Sequence, residues 1–163
     1  MGGQVENGIL CLRQSLTAYL AIGVRLGSSH VIAQLAAAYA RNGQVDQGLT
    51  LLTDVLEKVQ RSGERYYEAE IRRLIGESLL MKHASADEAE GHYWRAIEVA
   101  RQQSAKSWEL RAVMSLCRLW RRQGKSAEAL QMLHEIYGWF TEGFDTPDLQ
   151  DAKVMLNHLA QVV

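Results

Sequence analysis

The chain has 163 residues, 47% of them hydrophobic and 23% charged, with a net charge of −1. It is long enough for one domain with a proper core and too apolar for a disordered chain, and a near-neutral balance gives no whole-molecule attraction for nucleic acid or an anionic membrane. A single proline and almost no alternation of β-branched residues make helix the default state.

Periodicity and punctuation predict eight helices. The first covers about 5–26, with Ile9, Leu12, Leu16, Tyr19, Leu20 and Val24 on one face and Gly27 ending it. Ser28 or Ser29 can cap the second, 30–42, whose stripe is Ile32, Leu35, Ala36 and Tyr39 before an Asn42-Gly43 turn. The third, 45–61, carries Leu49, Leu52, Val55, Leu56 and Val59, and Ser62-Gly63 stops it. Tyr67, Ile71, Leu74, Ile75 and Leu79 mark the fourth, 65–82. Ser85 can cap the fifth, 86–102, with Glu88 at capping-box spacing; its stripe is Ala89, Tyr93, Ala96, Ile97 and Ala100. The sixth, 105–122, carries Leu110, Val113, Leu116, Cys117 and Trp120 up to Gly124. Ser126 opens the seventh, reaching about 141, and Thr146-Pro147 opens the eighth, 147–161.

These helices recur. Ala36/Tyr39, Gly76/Leu79 and Cys117/Trp120 are spaced by 40 and 41 residues; Gly48/Leu52, Ala89/Tyr93 and Ala129/Leu133 by 41 and 40. A fixed period of this size marks a solenoid in which each helix pair buries its apolar face against its neighbours. Short connections make consecutive helices antiparallel. The expected architecture is therefore all-α: a helix-pair solenoid forming a right-handed superhelix in one domain. Three full pairs cover 29–62, 65–102 and 105–141, and a capping helix covers 147–161. Residues 5–26 align with second-of-pair helices (Val5, Gly8 and Leu12 against Val45, Gly48 and Leu52) with no first-of-pair helix before them. This predicts a fragment or truncated product, or a chain that covers that face by self-association.

The small–bulky spacing resembles the tetratricopeptide repeat (TPR), whose helices carry Leu-Gly-x-x-Tyr and then Ala-x-x-x-Phe. Leu35-Ala36-x-x-Tyr39 with Gly48-x-x-x-Leu52, Ile75-Gly76-x-x-Leu79 with Ala89-x-x-x-Tyr93, and Leu116-Cys117-x-x-Trp120 with Ala129-x-x-x-Leu133 carry the likeness. The period is longer than the usual 34 residues, and the proline that ends each standard repeat is missing. The stretch Ala89–Leu156 further resembles the C-terminal repeats of bacterial signal-transduction ATPases and class III adenylate or guanylate cyclases. That resemblance implies a non-catalytic region that binds protein as the sensor or scaffold of a signalling protein. The alternative it leaves open is a small-ligand sensor, with an effector held between helices near Tyr66, Tyr67 and Trp108.

No nucleophile motif, phosphate loop or metal-ligand spacing occurs, so no enzyme activity, cofactor or metal is expected. Glu88 and His92 could offer half a metal site or simply a solvated helix face. Cys11 and Cys117 are expected as reduced core thiols, which points to the cytoplasm, and no apolar run approaches the ~20 residues of a membrane span. Trp120 is expected in the core; Trp94, Trp108 and Trp139 flank it, covering seams or standing partly exposed. The candidate partner site is a concave groove lined by first-of-pair helices: His30, Ala33, Ala37 and Arg41, then Arg73 and Glu77, then Arg111, Met114, Arg118 and Arg122. Its arginines suit the carboxylates of an acidic protein segment, its alanines an apolar one. The opposing reading is a solvated arginine face paired with nearby glutamates. The positions at which carboxylate-clamping repeats carry Lys and Asn hold Ala33 and Ala37 here, which disfavours chaperone tails. Nucleic acid would have only the arginine wall to bind.

Overall fold

The structure, a computed structural model, describes residues 2–21 and 27–163; within the first helix, the side chains of 6–19 and 21 are described. The helices are α1 (Gly2–Ala21), α2 (Ser28–Arg41), α3 (Val45–Ser62), α4 (Glu68–Met81), α5 (Ala86–Gln102), α6 (Lys106–Arg122), α7 (Ser126–Tyr137) and α8 (Pro147–Ala160). A single 3₁₀ turn, Arg65–Tyr67, leads into α4, and no strand occurs among the described residues. The expected end of the first helix at 26, with Leu20 and Val24 on its stripe, lies outside the described residues.

Each helix packs on the next, and α2, α4, α6 and α8 also touch one another in that order. They form an inner row, with α3, α5 and α7 outside. The small residues stand where the two helices of a pair cross. A Cβ on Gly48 would lie 2.6 Å from the Ala36 carbonyl oxygen, and one on Gly76 would lie 2.6 Å from the Tyr93 ring. In the third pair the Cys117 thiol donates to the Ala129 carbonyl at 3.3 Å. The main core runs unbroken from Ala33 in α2 to Leu159 in α8, while Ile9, Leu35 and Tyr39 form a separate small cluster under α1.

The repeat also governs the backbone. Inner and outer helices of a pair are joined by one residue of positive φ: Gly43, His83 and Gly124. Each turn is closed by the same bond, Gln44 N–H to Tyr39, Ala84 N–H to Leu79 and Lys125 N–H to Trp120, at 2.9–3.0 Å. This is a Schellman closure, which satisfies carbonyls left over at the helix end.

Several local expectations change. Gly27, at φ +82, is the N-cap of α2, so Ser28 and Ser29 are its first residues rather than its cap. Ser85 does cap α5, accepting from Asp87 N–H at 3.2 Å. The Thr146 hydroxyl instead donates to the Gly143 carbonyl at 2.7 Å, although Pro147 opens α8 as expected. Helix α7 stops at Tyr137, not 141, because the chain tightens past Gly138: Trp139 and Phe140 N–H bond the carbonyls three residues back. Cys117 is buried as expected, and burial pushes its thiol up to about 12. Cys11 is exposed, a correction to the expected core thiol, because α1 has only α2 to pack against.

Candidate functional site

The inner row places most of the predicted groove residues on one continuous face. Its floor is ionic and buried. Arg73, 7% exposed, grips Glu70 with both forks, Nε to Oε2 at 2.7 Å and Nη2 to Oε1 at 2.8 Å. Its third nitrogen bonds Glu77 and reaches the Ser115 hydroxyl at 3.3 Å; that hydroxyl donates to Glu77 at 3.0 Å, tying α4 to α6. Burial alone would disfavour the Arg73 charge, but the bonds and attraction of Glu70 and Glu77 outweigh it and hold the guanidinium protonated. Arg111 adds a contact to Glu70 at 3.1 Å, lies 5.3 Å from the Trp108 ring and reaches Asp148 at 3.8 Å.

This network consumes two of the expected anion-binding groups. Arg73 is sealed and doubly paired, so it holds the groove together rather than presenting a free charge. Arg111 is partly spent on Glu70. Ala33 is a further correction: it is fully buried in the core, where no partner can touch it. His30 is exposed at the start of α2, its ring edge-on to Tyr67 at 4.8 Å.

Arg41, Arg118 and Arg122 are exposed, and among the described residues none of them forms an ion pair. Arg41 donates only to the Ala37 carbonyl, 3.2 Å away within its own helix. A cavity of about 250 Å³ joins Arg41, Arg111, Met114 and Arg118 to Asp148 and Asp151 on α8. Beside it lies a second of about 280 Å³ with an apolar wall of Leu80, Met81, Tyr93 and Leu119 and a rim of Arg118 and Arg122. Ala37 and Ala40 border a third space near Arg41 and Met81. The groove therefore grades, as expected, from small apolar residues toward free arginines.

The sequence reading missed Asp148, Asp151, Tyr93 and Leu119 as groove residues. Register could have found the acids: Asp151 follows Arg111 by 40 residues, which puts α8 in the inner row. Tyr93 was legible only as core, and it is 1% exposed, yet its ring edge still closes the apolar pocket.

The other aromatic and histidine readings resolve locally. Tyr67 is buried and meets Trp108 edge-on at 5.2 Å, while Tyr66 points outward at 48% exposure. The three rings thus pack on each other and on solvent rather than around a closed space. Trp108 covers a seam and Trp139 stands exposed. Trp120 is only half-buried, a correction, because its indole N–H reaches out to Glu90 at 2.9 Å. Among the described residues no three His, Cys, Asp or Glu side chains are placed to hold a metal, and Glu88 and His92 gain no further ligand. No described helix is long and apolar enough to cross a membrane.

Neither the comparison with protein-family models nor that with curated proteins finds a match. Solved structures do match. Two crystal structures of nearly identical TPR-like repeats from Podosopora anserina, described as a kinesin light chain, superpose with TM-scores of 0.69 and 0.67. One of the two is a point variant. Each is 20% identical to this chain, covering 98% of it and 79% of the other. The fold of this chain is that of TPR-like helical repeats.

Proposed function

We propose that the chain is a non-catalytic protein-binding module whose inner groove holds an acidic segment of a partner. The observation that carries this reading is the pair Arg118 and Arg122: exposed, unpaired among the described residues, and set on the rim of an apolar pocket. Exposed guanidinium groups with no carboxylate of their own are available for bidentate bonds to Asp or Glu. The buried Arg73–Glu70–Glu77 network keeps the wall rigid, so little order must be gained on binding. Arg41 and Arg111 extend the positive strip, and Ala37 and Met114 leave the space between them shallow.

Selection of random displayed peptides on the full chain tests this. The expected winners are rich in Asp and Glu, bind more weakly as salt rises, and lose at least about tenfold in affinity against Arg118→Glu/Arg122→Glu. Winners without acidic residues, or affinity unchanged in that variant, overturn the assignment.

The finer role, as the sensor or scaffold part of a cytoplasmic bacterial signalling ATPase or cyclase, is supported by the sequence likeness of Ala89–Leu156 alone. An ATPase or cyclase reading frame directly upstream of, or fused to, this one is the outcome it requires. Small-effector sensing has weaker support, since Tyr67 and Trp108 already fill the space between their helices.

A further inference from the structure

We infer that the groove takes an acidic aromatic loop from a second copy of this chain, so that copies associate head to tail. This rests on the reading that the groove binds acidic segments, and it names the segment. The donor is the connection between α7 and α8. From Ser126 to Ala152 the chain holds six carboxylates (Glu128, Glu135, Glu142, Asp145, Asp148 and Asp151) and no Lys or Arg. In the middle of that stretch two large aromatic side chains face solvent, Trp139 at 58% and Phe144 at 46% exposure. Between them Glu142 and Asp145 are exposed.

The loop is shaped before it meets anything. Thr146 closes it twice on the Gly143 carbonyl, through its N–H at 2.9 Å and its hydroxyl at 2.7 Å, and Gly143 takes φ +76. Tyr137 props Phe144 at 5.7 Å and Phe140 props Trp139 at 5.2 Å. A loop held this way loses little freedom on docking, which favours association. Exposed aromatic rings between carboxylates match the acceptor in kind: an apolar pocket of about 280 Å³ lined by Leu80, Met81 and Leu119 with Arg118 and Arg122 on its rim. Aromatic anchors ringed by complementary charge are the usual composition of an interface core and rim.

The loop cannot fill the pocket of its own molecule. Trp139 sits 5.7 Å from the Lys106 ammonium, at the first turn of α6, whereas Arg118 and Arg122 occupy the last turns of that helix. At 1.5 Å per residue the two surfaces are roughly 20 Å apart along α6. The occupant must be the loop of another copy. Donor and acceptor are different surfaces, so the contact is heterologous and can propagate from copy to copy.

Sedimentation of the full chain over a range of concentrations provides the test. Average mass should rise with concentration and fall with added salt. Trp139→Ala/Phe144→Ala, which removes the donor, and Arg118→Glu/Arg122→Glu, which removes the acceptor, should each stay monomeric. Mixed in equal amounts they should form a one-to-one dimer, because each keeps the surface the other lost. All four positions are exposed, and circular dichroism confirms that both variants are folded. A wild-type chain that is monomeric throughout overturns the inference. So does association that survives both variants, or that is lost instead with Leu10→Arg on the exposed side of α1. A peptide of residues 137–148 separates the two readings. If it fails to compete with acidic peptides that need Arg118 and Arg122, the groove assignment stands and self-association falls.

Discussion

Gly8 and Gly48 occupy equivalent places in the repeat but meet different surroundings. A methyl on Gly48 would strike the α2 backbone at 2.6 Å, while nothing lies within 4 Å of one on Gly8. Gly48→Ala should therefore destabilise by about 2 kcal/mol despite the better helix propensity of alanine, whereas Gly8→Ala should be neutral or stabilise by up to about 1 kcal/mol. Urea unfolding of the two variants decides; equal effects would mean that α2 and α3 do not cross at Gly48. The buried network makes a second residue-scale prediction. Arg73→Met leaves Glu70, 1% exposed, with Arg111 alone and should cost about 3 kcal/mol. The double change with Glu70→Leu should be more stable than the single one, since an uncompensated buried charge is worse than none. Two groups set the response to acid. Burial, and next the Arg72 charge, push His92 below its ordinary value, so its neutral form stabilises the fold above about pH 6.5 and that stability is lost as pH falls. Burial pushes Glu68 up, but bonds from Arg65 and Arg72 outweigh it and leave it lowered. Its contribution is complete above the usual carboxylate range and is lost below it. His92→Gln should remove the upper fall in a pH series of unfolding free energies and leave the lower one; an unchanged upper fall refutes the assignment.

At the scale of elements, the turns carry strain that composition does not display. His83 and Ser104 hold φ of 57° and 54°, where Gly43 and Gly63 serve 40 and 41 residues earlier. Side chains with a Cβ pay for that conformation, and glycine does not. His83→Gly and Ser104→Gly should each raise stability by about 0.5 kcal/mol, the relief being partly offset by the added freedom of the unfolded chain. Loss of stability in either would show that the side chain, not the backbone, matters at that turn. The helices themselves were legible from apolar spacing, with inner starts and ends correct to within a few residues. The misplaced end of α7 has a local cause: Phe140 and Tyr137 look like one more turn of stripe, but Gly138 lets the chain wind tighter and leave the helix.

For the molecule as a whole, stability is passed from pair to pair, and the ends differ. Helix α1 packs only on α2, through Ile9 against Leu35 and Tyr39, in a cluster separate from the main core. Its amides should exchange with solvent by local opening, at least about tenfold faster than those of α4 or α6, which are packed on several sides. Uniform protection across α1, α4 and α6 would instead require a partner over α1. The groove is likewise a property of the stack: no single helix contains it, and its acidic rim comes from α8, two pairs away from Arg41.

The sequence by itself determined the all-helical state, the number of helices and the 40-residue period, because small and bulky residues must alternate wherever two helices cross. It also located the arginine-bearing wall through register. Only the tertiary structure decided which arginines are free. Charge pairing depends on distances across helices, and Glu70, Glu77 and Ser115 close around Arg73 while Arg118 and Arg122 find no carboxylate among the described residues.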